Sequence, residues 1–135
     1  MSNDNFAMDE APIVMGPNEF EMIELLKKLN VSRTIACTLA CLAKAKEIPS
    51  QKIEMLTGLR QPEVSIAMRY LLENNWIEVN EEKKSLGKGR PTKLYSLIVP
   101  ISQIINVIEE RVLEENKQVI RNIEFLREIS NESIE

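Results

Sequence analysis

The sequence predicts a mainly α-helical fold with one small β-hairpin and a long helix at the C-terminus. Hydrophobic residues make up 44% of the 135 residues, but aromatic residues only 4%. A core of aliphatic side chains favours packed helices over a large sheet, whose strands would be richer in aromatic and β-branched residues. Apolar residues recur at helical spacing along most of the chain and alternate over one short stretch only.

The first part of the chain predicts an arm and two helices. Residues 1–16 show no regular period, and we expect a flexible N-terminal arm. Residues 17–19 (Pro-Asn-Glu) suit a first helical turn, and apolar residues then repeat at helical spacing as far as Leu29. Ser32 is a candidate N-cap for a second helix, which should end near Lys46.

A short helix, a turn and a further helix follow. Ser50 is another candidate N-cap, and Gly58 suits the left-handed position that often ends a helix. The next helix should begin at residues 61–63 (Gln-Pro-Glu) and end at Asn74. Two helices joined by a tight turn that contains glycine form the arrangement of a helix-turn-helix.

Two predicted strands then form a hairpin, which would be the wing of a winged helix-turn-helix domain over residues 17–99. Residues 76–79 form the first strand, and residues 92–99 alternate as the second. The loop between them is basic, and no acidic residue lies between Lys83 and Val99.

Residues 100–135 predict a single long helix that dimerises. A helix of about 30 residues would be about 45 Å long, more than the small domain can cover. Its apolar stripe resembles a coiled-coil seam with a polar interruption at residues 115–116, and we expect a homodimer. The predicted dimerisation residues are Ile101, Ile105, Ile108, Val112, Val119, Ile123 and Leu126.

Several classes of function are disfavoured by composition. The chain has no histidine, which removes the commonest general base and the commonest zinc ligand, and we expect no enzyme activity, no cofactor and no metal. No apolar run is long enough to span a bilayer, and the N-terminal residues lack a basic signal region, so we expect a cytoplasmic protein without a membrane partner. Cys37 and Cys41 are expected to be reduced thiols in the core.

Double-stranded DNA is the expected partner. The net charge of −4 and pI of about 5.1 require that any contact with phosphates be made by a local basic patch. The exposed residues of the recognition helix would be Arg60, Gln61, Pro62, Glu63, Ser65, Ile66 and Arg69. The wing would contribute Lys83, Lys84, Lys88, Gly89, Arg90 and Lys93, with the arginine suited to a narrow minor groove.

Three segments resemble a known group of regulators. Residues 24–32 (ELLKKLNVS), 56–65 (LTGLRQPEVS) and 87–97 (GKGRPTKLYSL) look like the winged helix-turn-helix domain of prokaryotic, especially archaeal, TrmB-like and MarR/ArsR-like proteins. The resemblance covers about residues 17–99 and implies sequence-specific transcription regulation. It also implies that residues 61–69 lie on the recognition helix and that Lys88 and Arg90 lie on the wing. The effector is not indicated.

Two alternatives remain open at this point. A winged helix can also be an adaptor that docks on another protein, and a basic loop is often only a solvated turn. Cys37 and Cys41, four residues apart, could instead form a thiol or metal switch, although the sequence shows no third ligand.

Overall fold

The computed structural model describes residues 13–82 and 91–134. Within these ranges the chain forms five helices and a small three-stranded antiparallel sheet, a combination that is compatible with a winged helix. The helices are α1 (Pro17–Lys28), α2 (Arg33–Lys44), α3 (Ser50–Thr57), α4 (Gln61–Glu73) and α5 (Ile101–Ile134), and the strands are β1 (Ile48–Pro49), β2 (Ile77–Glu82) and β3 (Thr92–Leu97). The chain divides into two compact units, Met1–Val99 and Pro100–Glu135. Of the expected N-terminal arm, residues 1–12 lie outside the described ranges.

The ends of the helices follow from local chemistry, with one exception. Ser32 caps α2 as predicted, because its hydroxyl oxygen accepts a 3.3 Å hydrogen bond from the amide of Ile35. Gly58 ends α3 in a left-handed conformation (φ 76°), also as predicted. The prediction for Ser50 is wrong: Pro49 occupies the N-cap, and Ser50 is the first helical residue.

The sheet contains a strand that the sequence did not suggest. β3 is the central strand, with β1 and β2 antiparallel on either side. Ile48 of β1 lies opposite Tyr95, and Ile77 of β2 lies opposite Leu97. The hairpin was predicted, but β2 continues to Glu82, beyond the four residues expected of it. The added strand β1 ties the start of α3 to the hairpin.

The core of the first unit is built around α2. Its buried side chains include Leu39, Ala40 and Leu42, and the small Ala36 allows close approach. Other elements contribute residues that are also buried, including Ile23, Leu26, Ile53, Leu59, Val64, Ala67, Met68, Leu71, Trp76 and Ile77. The indole ring of Trp76 packs edge-on against Tyr70 with ring centroids 6.1 Å apart.

Two apolar residues expected on inner faces are exposed. Phe20 belongs to the apolar repeat of α1, but the buried residues of that helix are Ile23 and Leu26. Leu72, which the apolar repeat of residues 64–72 predicts on the inner face of α4, is also exposed. The cause is geometric, because a helix on the surface of a small domain buries only one stripe of its circumference.

The second unit is one uninterrupted helix of 34 residues, about 51 Å long at the standard rise. Ile104 and Ile108 are buried, whereas apolar residues recur on the exposed surface as far as Ile129. The long C-terminal helix predicted from the sequence is therefore confirmed, and it extends as far as Ile134.

Candidate nucleic-acid interface

The outer face of α4 carries most of the predicted recognition residues. Val64, Ala67, Met68 and Leu71 are buried on the inner side of this helix and fix its rotation. As a consequence, the outer side presents the predicted contact residues Arg60, Gln61, Pro62, Ser65, Ile66 and Arg69, all of which are exposed. These six residues are therefore mainly polar and positively charged, with one large apolar side chain among them, Ile66.

Glu63 has a structural role that sequence analysis did not assign. It is half-buried, and its Oε1 accepts a 2.8 Å hydrogen bond from the main-chain amide of Arg60. Glu63 is the third residue of α4, where a glutamate commonly satisfies an amide that precedes the helix. One carboxylate oxygen is thus committed to the helix start and is not available to a base.

A cleft of about 410 Å³ lies between the starts of α3 and α4 and the start of β3. It is lined by Ser50, Gln51, Gln61, Pro91, Thr92, Lys93 and Tyr95. The cleft therefore brings together the starts of α3, α4 and β3. Gln61 and Lys93, predicted for the recognition helix and the wing respectively, line the same cleft.

The cleft carries groups that attract an anion, while the carboxylate of Glu63 at the start of α4 opposes one. The first turns of α3 and α4 carry main-chain amides with no partner inside the helix, and the helix dipole places positive potential there. Lys93 adds a full positive charge, while Ser50, Gln51 and Thr92 offer hydrogen-bonding side chains. These groups are candidate contacts for a phosphate oxygen or another small anionic group.

Sequence analysis missed several of the residues that line the cleft. Ser50 was considered only as a cap, while Gln51, Thr92 and Tyr95 were not among the predicted contact residues. The starts of two helices were visible in the sequence. These helix starts face the base of the hairpin because β1 pairs with β3. That pairing joins residues far apart in the chain, so the sequence did not reveal it.

The base of the hairpin is less basic than its loop suggested. Glu78, Glu81 and Glu82 lie on β2, and Glu81 is directly opposite Lys93 on β3. The prediction of a basic wing considered the residues from Lys83 onward and so omitted this acidic strand. Five residues of the proposed wing, Lys83, Lys84, Lys88, Gly89 and Arg90, lie outside the described residues.

Both cysteines are buried and reduced, as expected. Cys37 and Cys41 are free thiols with 4% and 0% of their surface exposed. Burial raises the pKa of Cys41 to about 12, with a further contribution from Cys37, and burial also raises the pKa of Cys37. Among the described residues, no group of three or more His, Cys, Asp or Glu side chains could hold a metal ion.

The residues predicted for dimerisation differ in burial within the single chain. Ile108 is buried, and Ile101 and Val112 are half-buried. The other four, Ile105, Val119, Ile123 and Leu126, are exposed. The C-terminal half of α5 therefore carries the larger part of its uncovered apolar surface.

Comparison with known proteins does not assign the chain to a family. No family model matches the sequence, and no curated protein matches it.

None of the helices in the described ranges combines the length and apolar character that a transmembrane span requires.

Proposed function

We propose that this protein is a sequence-specific, double-stranded DNA-binding transcription regulator with a winged helix-turn-helix domain and no catalytic activity of its own. The observation that carries the proposal is the cleft shared by Gln61 and Lys93. Because the start of α4 and the base of the hairpin open on the same cleft, one duplex can contact both. The resemblance to TrmB-like and MarR/ArsR-like regulators supports the same assignment.

The exposed face of α4 supplies the base contacts in this proposal. The start of the second helix of a helix-turn-helix lies toward base edges in the major groove. Gln61 can form a bidentate pair with adenine, and Arg60 or Arg69 can form one with guanine. Ile66 has no hydrogen-bonding group, and its branched side chain can instead contact a thymine methyl.

Phosphate contacts come from the cleft and the wing. Lys93 and the first turns of α3 and α4 can contact one backbone, while Arg90 of the predicted wing can enter the neighbouring minor groove. The acidic residues of β2 oppose this binding, so the affinity depends on a small number of cations. We therefore expect a steep decrease of affinity with salt concentration.

A homodimer through α5 completes the proposal. Exposed Val119, Ile123 and Leu126 repeat at steps of four and three residues, which is the spacing of a helix-helix seam. A twofold dimer places two recognition helices on half-sites about 34–36 Å apart, so the operator is expected to be roughly palindromic.

Selection of bound duplexes from genomic DNA at low salt tests the proposal. We expect enrichment of one palindromic motif. Arg90→Ala should weaken binding to all duplexes, whereas Gln61→Ala should change the preferred bases. Lys117→Ala on α5 is the control, because it removes a surface cation outside the proposed interface. A selection without an enriched duplex would overturn the proposal, and a stable protein partner resistant to nuclease would favour the adaptor function instead.

A further inference from the structure

The C-terminal half of α5 carries an apolar stripe that the single chain leaves uncovered. Val119, Ile123 and Leu126 repeat at steps of four and three residues, and each side chain is between 43% and 65% exposed. This spacing on a helix of 34 residues is typical of a seam between two helices. The homodimer proposed above covers the stripe with a second copy of α5, and the two helices can run in the same direction or in opposite directions.

Charge is divided unequally along the same helix. Residues 109–115 contain four glutamates and one arginine, for a net charge of −3, whereas residues 117–127 contain three basic residues and one glutamate, for a net charge of +2. All of these charged side chains are exposed. A neighbouring copy of α5 therefore meets an acidic segment and a basic segment in succession.

The two directions differ in which segments they bring together. In a parallel pair in register, each residue of the seam lies beside its own copy, so the two acidic segments would lie against each other and repel. The two Asn116 side chains would also meet, a polar contact that the seams of parallel dimers often contain. In an antiparallel pair that overlaps over the whole of α5, residues 109–115 of one copy instead lie beside residues 120–126 of the other, which Lys117 and Arg127 flank. Charge complementarity therefore favours the antiparallel pair.

We propose that the α5 helices of two copies pack antiparallel, with Glu109 of each copy beside Arg127 of the other. The two residues are 18 positions apart, which is five turns of about 3.6 residues, so they lie on the same side of the helix. Glu109 is eight residues from the start of α5 at Ile101, and Arg127 is seven residues from its end at Ile134. Opposite charges thus lie at nearly equal distances from the two ends of one helix side.

This side of the helix borders the apolar stripe. Arg127 follows Ile123 by four residues, and Glu109 precedes Val112 by three. Charged residues that flank a seam form ion pairs between helices and set the orientation of the helices. The twofold axis of the dimer repeats the contact, so each dimer contains two such pairs. Both side chains are exposed in the single chain, so each pair should stabilise the dimer modestly and be screened by salt.

Pulsed electron paramagnetic resonance between nitroxide labels on the full-length protein measures the orientation. Asn131→Cys supplies an exposed thiol near the end of α5, while the native Cys37 and Cys41 are buried and should not be labelled. In the antiparallel pair the two labelled positions are about 40 Å apart along the axis, whereas in a parallel pair they are about 10 Å apart. Gln118→Cys, near the midpoint of α5, is the control, because its labels should lie within about 20 Å of each other in either orientation.

We expect a long distance for Asn131→Cys and a short one for Gln118→Cys. Short distances in both variants would show a parallel pair and overturn the proposal. No defined distance in either variant would show that α5 does not join two copies, which would overturn the orientation together with the proposed homodimer on which it rests. Selection of bound duplexes is measured separately, so neither result decides whether the protein binds DNA.

Exchange of the two charges tests the contact between Glu109 and Arg127. Arg127→Glu places a carboxylate beside Glu109 at both contacts, and we expect association at low salt to weaken at least about tenfold. Addition of Glu109→Arg restores opposite charges and should return association to within about threefold of wild type. Sedimentation equilibrium measures the association constant. Arg121→Glu is the matched control, since it makes the same change of charge two residues from Val119 and Ile123, on the opposite side of α5.

The comparison of these variants separates a specific contact from an effect of total charge. Equal weakening by Arg121→Glu and Arg127→Glu, or no recovery in the double variant, would overturn the pairing of Glu109 with Arg127. Circular dichroism checks that the variants remain helical, which is expected because all three side chains are exposed. If Arg127→Glu unfolds, the distances between labels still decide the orientation.

Discussion

The main-chain amide of Arg60 donates a 2.8 Å hydrogen bond to Oε1 of Glu63, and this contact closes the start of α4. The glutamate therefore stabilises the helix that carries the candidate base contacts. Its negative charge also interacts favourably with the positive end of the helix dipole. In the proposed complex the same charge lies close to a DNA phosphate. Glu63 therefore stabilises the fold but opposes DNA binding.

Substitution of Glu63 should separate these two effects. Glu63→Ala removes the hydrogen bond, and we expect the free energy of unfolding to fall by about 1 kcal/mol. Glu63→Gln keeps an acceptor oxygen without the charge, so stability should change less and DNA affinity should rise. Urea unfolding and fluorescence anisotropy measure the two quantities. Glu73→Ala, at the other end of α4, is the control, and an equal loss of stability there would contradict the capping role.

Glu81 should weaken DNA binding through its position opposite Lys93. Glu81→Gln removes a negative charge beside the cleft, and we expect affinity at low salt to increase by up to about fivefold, or about 1 kcal/mol. The gain should shrink as salt screens the charge. A salt series with the same duplex measures it, and Glu110→Gln on α5 is the control. No gain at low salt would indicate that Lys93 does not contact the DNA.

The helices could be predicted from the sequence because their signals are local. Ser32, Gly58 and the apolar repeat of α5 each act within a few residues, and the structure has these features where they were expected. Ser50 shows the limit of this approach: a serine before a helix suits the N-cap, but Pro49 occupies that position. The choice between neighbouring residues depends on the pairing of β1.

The candidate site could be predicted only in part. The exposed face of α4 follows from the helical period of the apolar residues that are buried on its inner side. The cleft depends on the pairing of Ile48 with Tyr95, and the hydrogen bond from Sγ of Cys41 to Sδ of Met15 likewise joins distant segments. Such contacts between distant segments leave no periodic pattern in the sequence.

Ile66 should select thymine through its methyl group. The side chain is 63% exposed on the outer face of α4, one turn before Arg69. Replacement of a contacted thymine by deoxyuridine removes only that methyl, and we expect a loss of about 1 kcal/mol, or roughly fivefold in affinity. Ile66→Ala should bind both duplexes equally. If deoxyuridine has no effect at any operator position in the wild type, Ile66 does not contact a thymine methyl, although DNA binding itself would stand.

The buried thiol of Cys41 should make the fold sensitive to alkaline pH. Burial raises its pKa from 9.0 to about 12, so the folded state retains a proton that the unfolded chain loses. The corresponding stability is fully present below pH 9 and is lost as the pH rises toward 12. The thiol of Cys41 should contribute a slope of about 1.4 kcal/mol per pH unit in this range. Urea unfolding between about pH 8 and 11 should show a shallower decrease for Cys41→Ala, and parallel curves would contradict the assignment.

Substitution of Leu126 tests dimerisation without disturbing the fold of the single chain. Its side chain is 65% exposed on α5, so a lysine at this position should leave the chain folded. In the proposed dimer the same side chain lies in the helix-helix seam with Val119 and Ile123, where an unpaired charge is costly. Leu126→Lys should therefore change the mass in sedimentation equilibrium from two chains to one. Arg127→Lys, on the neighbouring position, keeps its charge and should remain dimeric. A wild-type protein with the mass of one chain, or a Leu126→Lys variant that stays dimeric, would show that this surface of α5 does not join two copies.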